Sequence, residues 1–138
     1  MTRPIEGYAV IGDCRTAALV SDDGSIDWLC MPRFDSASLF AALLGDEEQG
    51  HWKLRPAGET ATTSREYVTD TFTLVTRWVT ADGEVEVTDL LSQTGPGDLV
   101  DVVSGSDRRS DLIRRVRGIR GSVTMRQELR VRFDYAAS

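Results

Sequence analysis

Polar and apolar residues alternate with a period of two over much of this chain, and that period predicts strands. The cleanest run is residues 123–134. Val123, Met125, Leu129, Val131 and Phe133 point one way, and Thr124, Arg126, Glu128, Arg130, Arg132 and Asp134 point the other, with Gln127 alone breaking the apolar side. One face of that strand is expected to be core and the other a ribbon of arginines. Residues 84–91 alternate Val85 and Val87 with Glu84, Glu86 and Thr88. Residues 66–80 are rich in Val, Thr and aromatics, and Phe72, Leu74 and Trp78 are expected on one buried face. Asp82-Gly83 between these runs predicts a hairpin, because Gly accepts the positive φ a tight turn demands.

Ser21-Asp22-Asp23-Gly24 predicts a second hairpin between residues 16–20 and 25–31. In its second arm, strict alternation puts Ile26, Trp28 and Cys30 on one face and Ser25, Asp27 and Leu29 on the other. Residues 8–11 read as a short strand behind Pro4, and residues 50–55 as a strand ended by Pro56. Polar loops are expected at 57–64, 92–98 and 104–110, with a short strand at 99–103. Residues 112–117 suit helix or strand, and nearby Gly118 and Gly121 favour strand. Residues 36–44 are the one helical segment: Asp35 or Ser36 can cap it, Leu39, Phe40, Leu43 and Leu44 form its stripe, and Gly45 stops it. Two turns of helix survive only by packing on a sheet. The expected fold is therefore mainly all-β, an antiparallel β-sandwich with one short helix, forming a single domain over residues 1–138.

Composition narrows the class. A chain of 138 residues with 41% hydrophobic and 28% charged residues can build a core, so disorder is excluded. No apolar run approaches membrane-spanning length, and the first residues lack a signal-peptide pattern, so a cytoplasmic protein is expected. The charge of −6 is uneven: residues 1–104 carry 7 basic and 18 acidic side chains, residues 105–138 carry 9 and 4. The basic residues alternate with apolar ones in an acidic chain, which argues against nucleic acid. Cys14 and Cys30 are not spaced as a metal knuckle and read as reduced thiols.

Chemistry is harder to find. Residues 11–40 crowd Asp13, Arg15, Asp27, Trp28, Arg33, Phe34 and Asp35 among aliphatic residues. Charges so placed must reach solvent, pair, or face a partner, since burying them alone costs several kcal/mol. Asp13, Arg15 and Asp27 are expected to form structural charge pairs. His51 is the sole histidine, and no nucleophile elbow accompanies it. No metal-ligand spacing and no phosphate-cradling loop is present, so neither catalytic residues nor a cofactor are expected. Trp28 and Trp52 are candidates for a sugar-stacking platform, whereas Trp78 is expected in the core.

Residues 4–44 resemble the N-terminal, trehalase-like domain of glycoside hydrolase family 15. The matching elements are Pro4-Ile5-Glu6, Tyr8-Ala9, Ile11-Gly12-Asp13, Asp23-Gly24-Ser25-Ile26-Asp27-Trp28-Leu29-Cys30 and Pro32-Arg33-Phe34-Asp35-Ser36. Gly50, Trp52, Leu54 and Pro56, and the later Arg126 with Glu128 to Arg130 and Arg132 to Tyr135, extend the resemblance over nearly the whole chain. Gly7 and Ala37 depart from the pattern without disturbing the fold it implies. The resemblance implies a parent enzyme that hydrolyses α-glucosidic bonds, such as those of trehalose or maltose, with inversion. Its two catalytic glutamates would lie on an (α/α)6 barrel following the sandwich, so this chain alone is expected to be inactive, and its last residues read as a cut rather than a terminus. Trp28, Arg33, Phe34 and Asp35 are then expected at the barrel's active-site rim or in the docking contact, with self-association through that surface when the barrel is missing. Two other readings stand beside it. One is a stand-alone carbohydrate-binding module; the other is an interaction domain using Arg126, Arg130 and Arg132 against an acidic partner.

Overall fold

The Asp-Gly turn at Gly24 forms as expected and becomes a joint of the fold. Gly24 donates its N–H to the Ser21 carbonyl at 3.1 Å and has φ +86°. Its carbonyl accepts the Leu54 N–H at 3.0 Å, which ties the turn to a strand thirty residues on. In the computed structural model the described residues are 5–12, 17–30, 38–40, 50–60, 62–94 and 109–131. They form one 3-10 turn (Ile5–Gly7) and ten strands: β1 (Tyr8–Gly12), β2 (Ala17–Ser21), β3 (Ser25–Cys30), β4 (Ser38–Phe40), β5 (His51–Pro56), β6 (Thr62–Tyr67), β7 (Leu74–Val79), β8 (Gly83–Thr94), β9 (Arg109–Gly121) and β10 (Met125–Arg130).

The strands make two antiparallel sheets. The first runs β1-β2-β3-β5-β10, with β4 also paired to β3, and the second is the meander β6-β7-β8-β9. β3 divides its edge: Ser25 and Ile26 pair with Lys53 and Trp52 of β5, while Leu29 and Cys30 pair with Phe40 and Ser38 of β4. Two apolar clusters lie between the sheets. Ile11, Ala18, Val20, Ile26, Leu29, Leu74 and Leu91 form one, with Trp52 and Leu112 packed on it. Leu54, Trp78, Val85 and Val87 form the other, with Val123 and Met125 against it. Each cluster draws on both sheets, which makes the fold an antiparallel β-sandwich.

Several local expectations change. Residues 38–40 are strand β4, not part of a helix, because β3 offers them a ladder partner; the rest of 36–44 lies outside the described residues. In β3, Leu19 faces Trp28 but Val20 faces Ile26, so Asp27 is an extra, bulged residue. The bulge resets the alternation, and Ile26 and Leu29, three apart, both enter the core. The run at 66–80 is not one strand. A turn at 68–73 interrupts it, with Asp70 at φ +61° and the Val68 N–H bonded to the Thr73 carbonyl, and Phe72 on that turn is 62% exposed. β6 already begins at Thr62 and β8 continues to Thr94, shortening the loops expected on either side. On β10 the inward face is only half realised: Met125 packs on the second cluster, but Leu129 is 56% exposed and Val131 is exposed as well. β10 is the last strand of its sheet, so only its first residues lie over the second cluster.

A Cβ at position 24 would stand 2.5 Å from the Leu54 carbonyl oxygen and 3.3 Å from the Trp78 ring, on a backbone L-residues avoid. Gly24→Ala is expected to lower unfolding free energy by about 2 kcal/mol or more, read from urea denaturation midpoints at unchanged m-value.

Candidate functional site

β3 carries the described part of the motif that the sequence singles out. Trp28 is half-buried on it, opposite Leu19 beside the bulge. Arg33, Phe34 and Asp35, which follow it in the candidate rim, lie outside the described residues, as do Asp13 and Arg15. Asp27 is buried, and its carboxylate is held by hydroxyls. Tyr8 Oη donates to one oxygen at 2.6 Å, and Ser25 Oγ donates to the other at 2.5 Å. Ser25 in turn donates its N–H to Ser21 Oγ at 3.2 Å, Ser21 Oγ donates to Asp23, and Lys53 Nζ lies 3.8 Å from the far oxygen of Asp23. A connected polar chain thus runs from β1 across the β2–β3 turn to β5. Two hydroxyl donors satisfy a buried carboxylate without a guanidinium, so Asp27 acts here as an acceptor anchoring β1 to β3.

A second polar centre lies between the sheets, and the sequence does not announce it. Arg114 of β9 and Asp89 of β8 sit opposite each other in the ladder, with side chains 0% and 1% exposed. Arg114 Nε donates to Asp89 Oδ1 at 2.7 Å, and Nη2 approaches Oδ2 at 3.4 Å. Nη1 donates to the Trp52 carbonyl at 2.6 Å and Nη2 to the Gly24 carbonyl at 2.7 Å, both in the opposite sheet. The guanidinium also lies 5.4 Å from the centre of the Trp52 ring. The planar, five-donor geometry of arginine suits such a junction, where lysine would leave acceptors unmet. The signal that could have found it is the period-two register of β9, which puts Arg114 on the same face as Leu112, a residue packed on the first cluster.

The aromatic candidates resolve differently. Trp52 is half-buried under Arg114, and its Nε1 donates to Gln127 Oε1 at 3.0 Å. Gln127, the one break in the apolar side of β10, is therefore the partner of an indole. Trp78 is 2% exposed, as its core assignment requires. None of the three indoles lies as an open, flat platform. His51 is buried, with Nε2 4.0 Å from Glu128 Oε1. Arg126 and Arg130 are exposed on β10, on the side that also carries Glu128; Arg132 lies outside the described residues. Among the described residues, no group of three or more His, Cys, Asp or Glu could hold a metal ion, and no helix is long and apolar enough to cross a membrane.

Residues 1–135 match the family described as trehalase-like, N-terminal. The chain is 37% identical over 140 residues to a trehalase of Mycolicibacterium smegmatis, covering 96% of this chain and 21% of that protein. It is 35% identical to a trehalase of Mycobacterium tuberculosis, covering 96% of this chain and 20% of that one, and 41% identical over 81 residues to trehalase 1 of Sulfolobus acidocaldarius, covering 59% and 14%. No solved structure matches significantly. The chain belongs to the trehalase-like N-terminal family and spans about a fifth of the length of the two mycobacterial relatives.

Truncating one member of a buried pair leaves the other charge uncompensated. Arg114→Met is expected to destabilise the chain by about 3–5 kcal/mol, and Arg114→Met with Asp89→Leu by clearly less, measured as a double-mutant cycle in chemical denaturation.

Proposed function

We propose that this member of the trehalase-like N-terminal family is the non-catalytic N-terminal domain of a trehalase- or glucoamylase-like hydrolase of glycoside hydrolase family 15. In this reading it packs against an (α/α)6 catalytic barrel that cleaves α-glucosidic bonds, and it helps to shape the rim of that barrel's active site. The supporting observation is one of proportion. Trehalases match the chain over 96% of its length, and the match takes up only 21% and 20% of theirs.

The interior carboxylates fit a structural role. An inverting pair needs two carboxyl groups about 6.5–9.5 Å apart with room for a water between them. Here Asp89 is enclosed by Arg114, and Asp27 by Tyr8 and Ser25. Glu84, nearer the surface, lies 3.5 Å from both Arg77 and Arg120. Each is tied to the frame of the sandwich.

β3 is the strand that leads to the barrel in this proposal. Its Trp28 stands half-buried beside the bulge at Asp27. Arg33, Phe34 and Asp35 follow within seven positions and are assigned to the rim contact. Asp13 and Arg15 are assigned to structural charge pairs.

Trehalose or maltose incubated with this chain alone is expected to release no glucose. In an enzyme carrying the domain, Arg33→Ala and Asp35→Ala are expected to lower kcat/KM about tenfold, or about 1.4 kcal/mol in transition-state stabilisation, with Tm within about 2 °C of the parent. Unchanged kinetics in both variants would sink the rim assignment. Hydrolysis by the isolated chain would overturn the non-catalytic one.

A further inference from the structure

An open cleft of about 590 Å³ lies between the β2–β3 turn and β6, within the size range of small-molecule sites. Asp22 and Asp23 of the turn form one wall, Thr63 and Ser64 of β6 contribute hydroxyls, and Arg55 of β5 and Trp78 of β7 complete it. Arg65 also lines it, but its guanidinium is bonded to the Val20 and Gly7 carbonyls at 3.0 and 3.1 Å.

Two groups in the cleft have hydrogen-bonding capacity that the described residues leave unused. Half-buried Arg55 makes one long bond, from Nε to the Pro56 carbonyl at 3.4 Å, and stacks 5.1 Å above the Trp78 ring, with no acceptor for its two terminal nitrogens. Beneath it, the buried Nε1 of Trp78 has no hydrogen-bond partner. Such donors are costly to leave unmade; the Trp78 nitrogen is sealed from solvent, so an acceptor arriving from the cleft meets the terminal nitrogens of Arg55, stacked on the same ring.

The charge around them selects the kind of acceptor. Asp23 is already met by Lys53, whereas Asp22 repels an anion and Arg55 repels a cation. A molecule with neighbouring hydroxyls answers both walls, since each hydroxyl accepts from a guanidinium and donates to a carboxylate. Arg55 already covers the indole face, so recognition rests on hydrogen bonds and not on ring stacking.

We propose that this cleft binds a small neutral polyhydroxylated molecule of mono- to disaccharide size, with Arg55 donating to its oxygens and Asp22 accepting from its hydroxyls. The site goes beyond the rim-shaping role and does not rest on it, because it needs nothing outside this chain.

The test is titration of the whole chain with trehalose and with maltose, followed by the indole N–H resonances of the three tryptophans. At least one sugar is expected to shift the Trp78 resonance saturably, with Kd on the order of 1 mM, leaving Trp28 and Trp52 unmoved. Arg55→Met and Asp22→Asn are each expected to weaken that binding about tenfold or more, with unchanged circular dichroism. Should Arg55→Met fail to fold, Thr63→Val on the opposite wall is read in its place. No saturable shift with either sugar, or one that survives these substitutions, overturns the proposal. A shift with inorganic phosphate and none with sugar marks an anion site and overturns it too. Rim kinetics in the parent enzyme do not enter this readout, so the two proposals fail separately.

Discussion

The sandwich depends on one buried guanidinium. Arg114 leaves water entirely, and the desolvation of its charge is offset only because Asp89 and two carbonyls of the facing sheet meet its donors together. Hydrophobic contact alone holds two sheets face to face but does not choose their relative position, since apolar packing is non-directional. Hydrogen bonds from Arg114 to Gly24 and Trp52 do choose it. They exist only when β9 lies against the β2–β3 turn and β5, and a slide of one residue would strand a buried charge.

Gly24 shows how tightly this junction is drawn. Its carbonyl takes a bond from Leu54 and another from Arg114, while its Cα lies so near the Leu54 carbonyl and the Trp78 ring that no side chain fits. A turn residue thus links β2, β5 and β9. The opposite edge is closed by other means. Tyr67 Oη of β6 bonds both the N–H and the carbonyl of Val10 on edge strand β1, at 3.0 Å each, and Arg65 reaches Gly7 and Val20. Val10 therefore has no backbone group left for an added strand at that position.

Between these clips the polar chain Tyr8–Asp27–Ser25 fixes the start of β3, the strand that precedes Arg33, Phe34 and Asp35 in the sequence. The bulge at Asp27 sets which residues of β3 are core and which are not. It brings Ile26 and Leu29 into the core and leaves Trp28 half-buried at the surface. The rim-shaping role proposed for this domain calls for such a rigid mount, because a small displacement of a positioning group costs a large factor in rate.

Period-two alternation, two Asp-Gly turns and the quoted motifs were enough to establish the strand-rich class, the two hairpins and the family. Those properties are local: alternation follows from the pleat, and turn chemistry from φ at a single residue. What the alternation could not contain was the bulge at Asp27, the strand at Ser38–Phe40, the exposure of Phe72 and Leu129, or the difference between Arg114 and Arg115. Arg114 and Arg115 are adjacent and chemically identical, yet one is sealed between sheets and the other faces solvent. Tertiary structure decided that, since burying a charge depends on acceptors that arrive from Asp89, Trp52 and Gly24, far away in the chain.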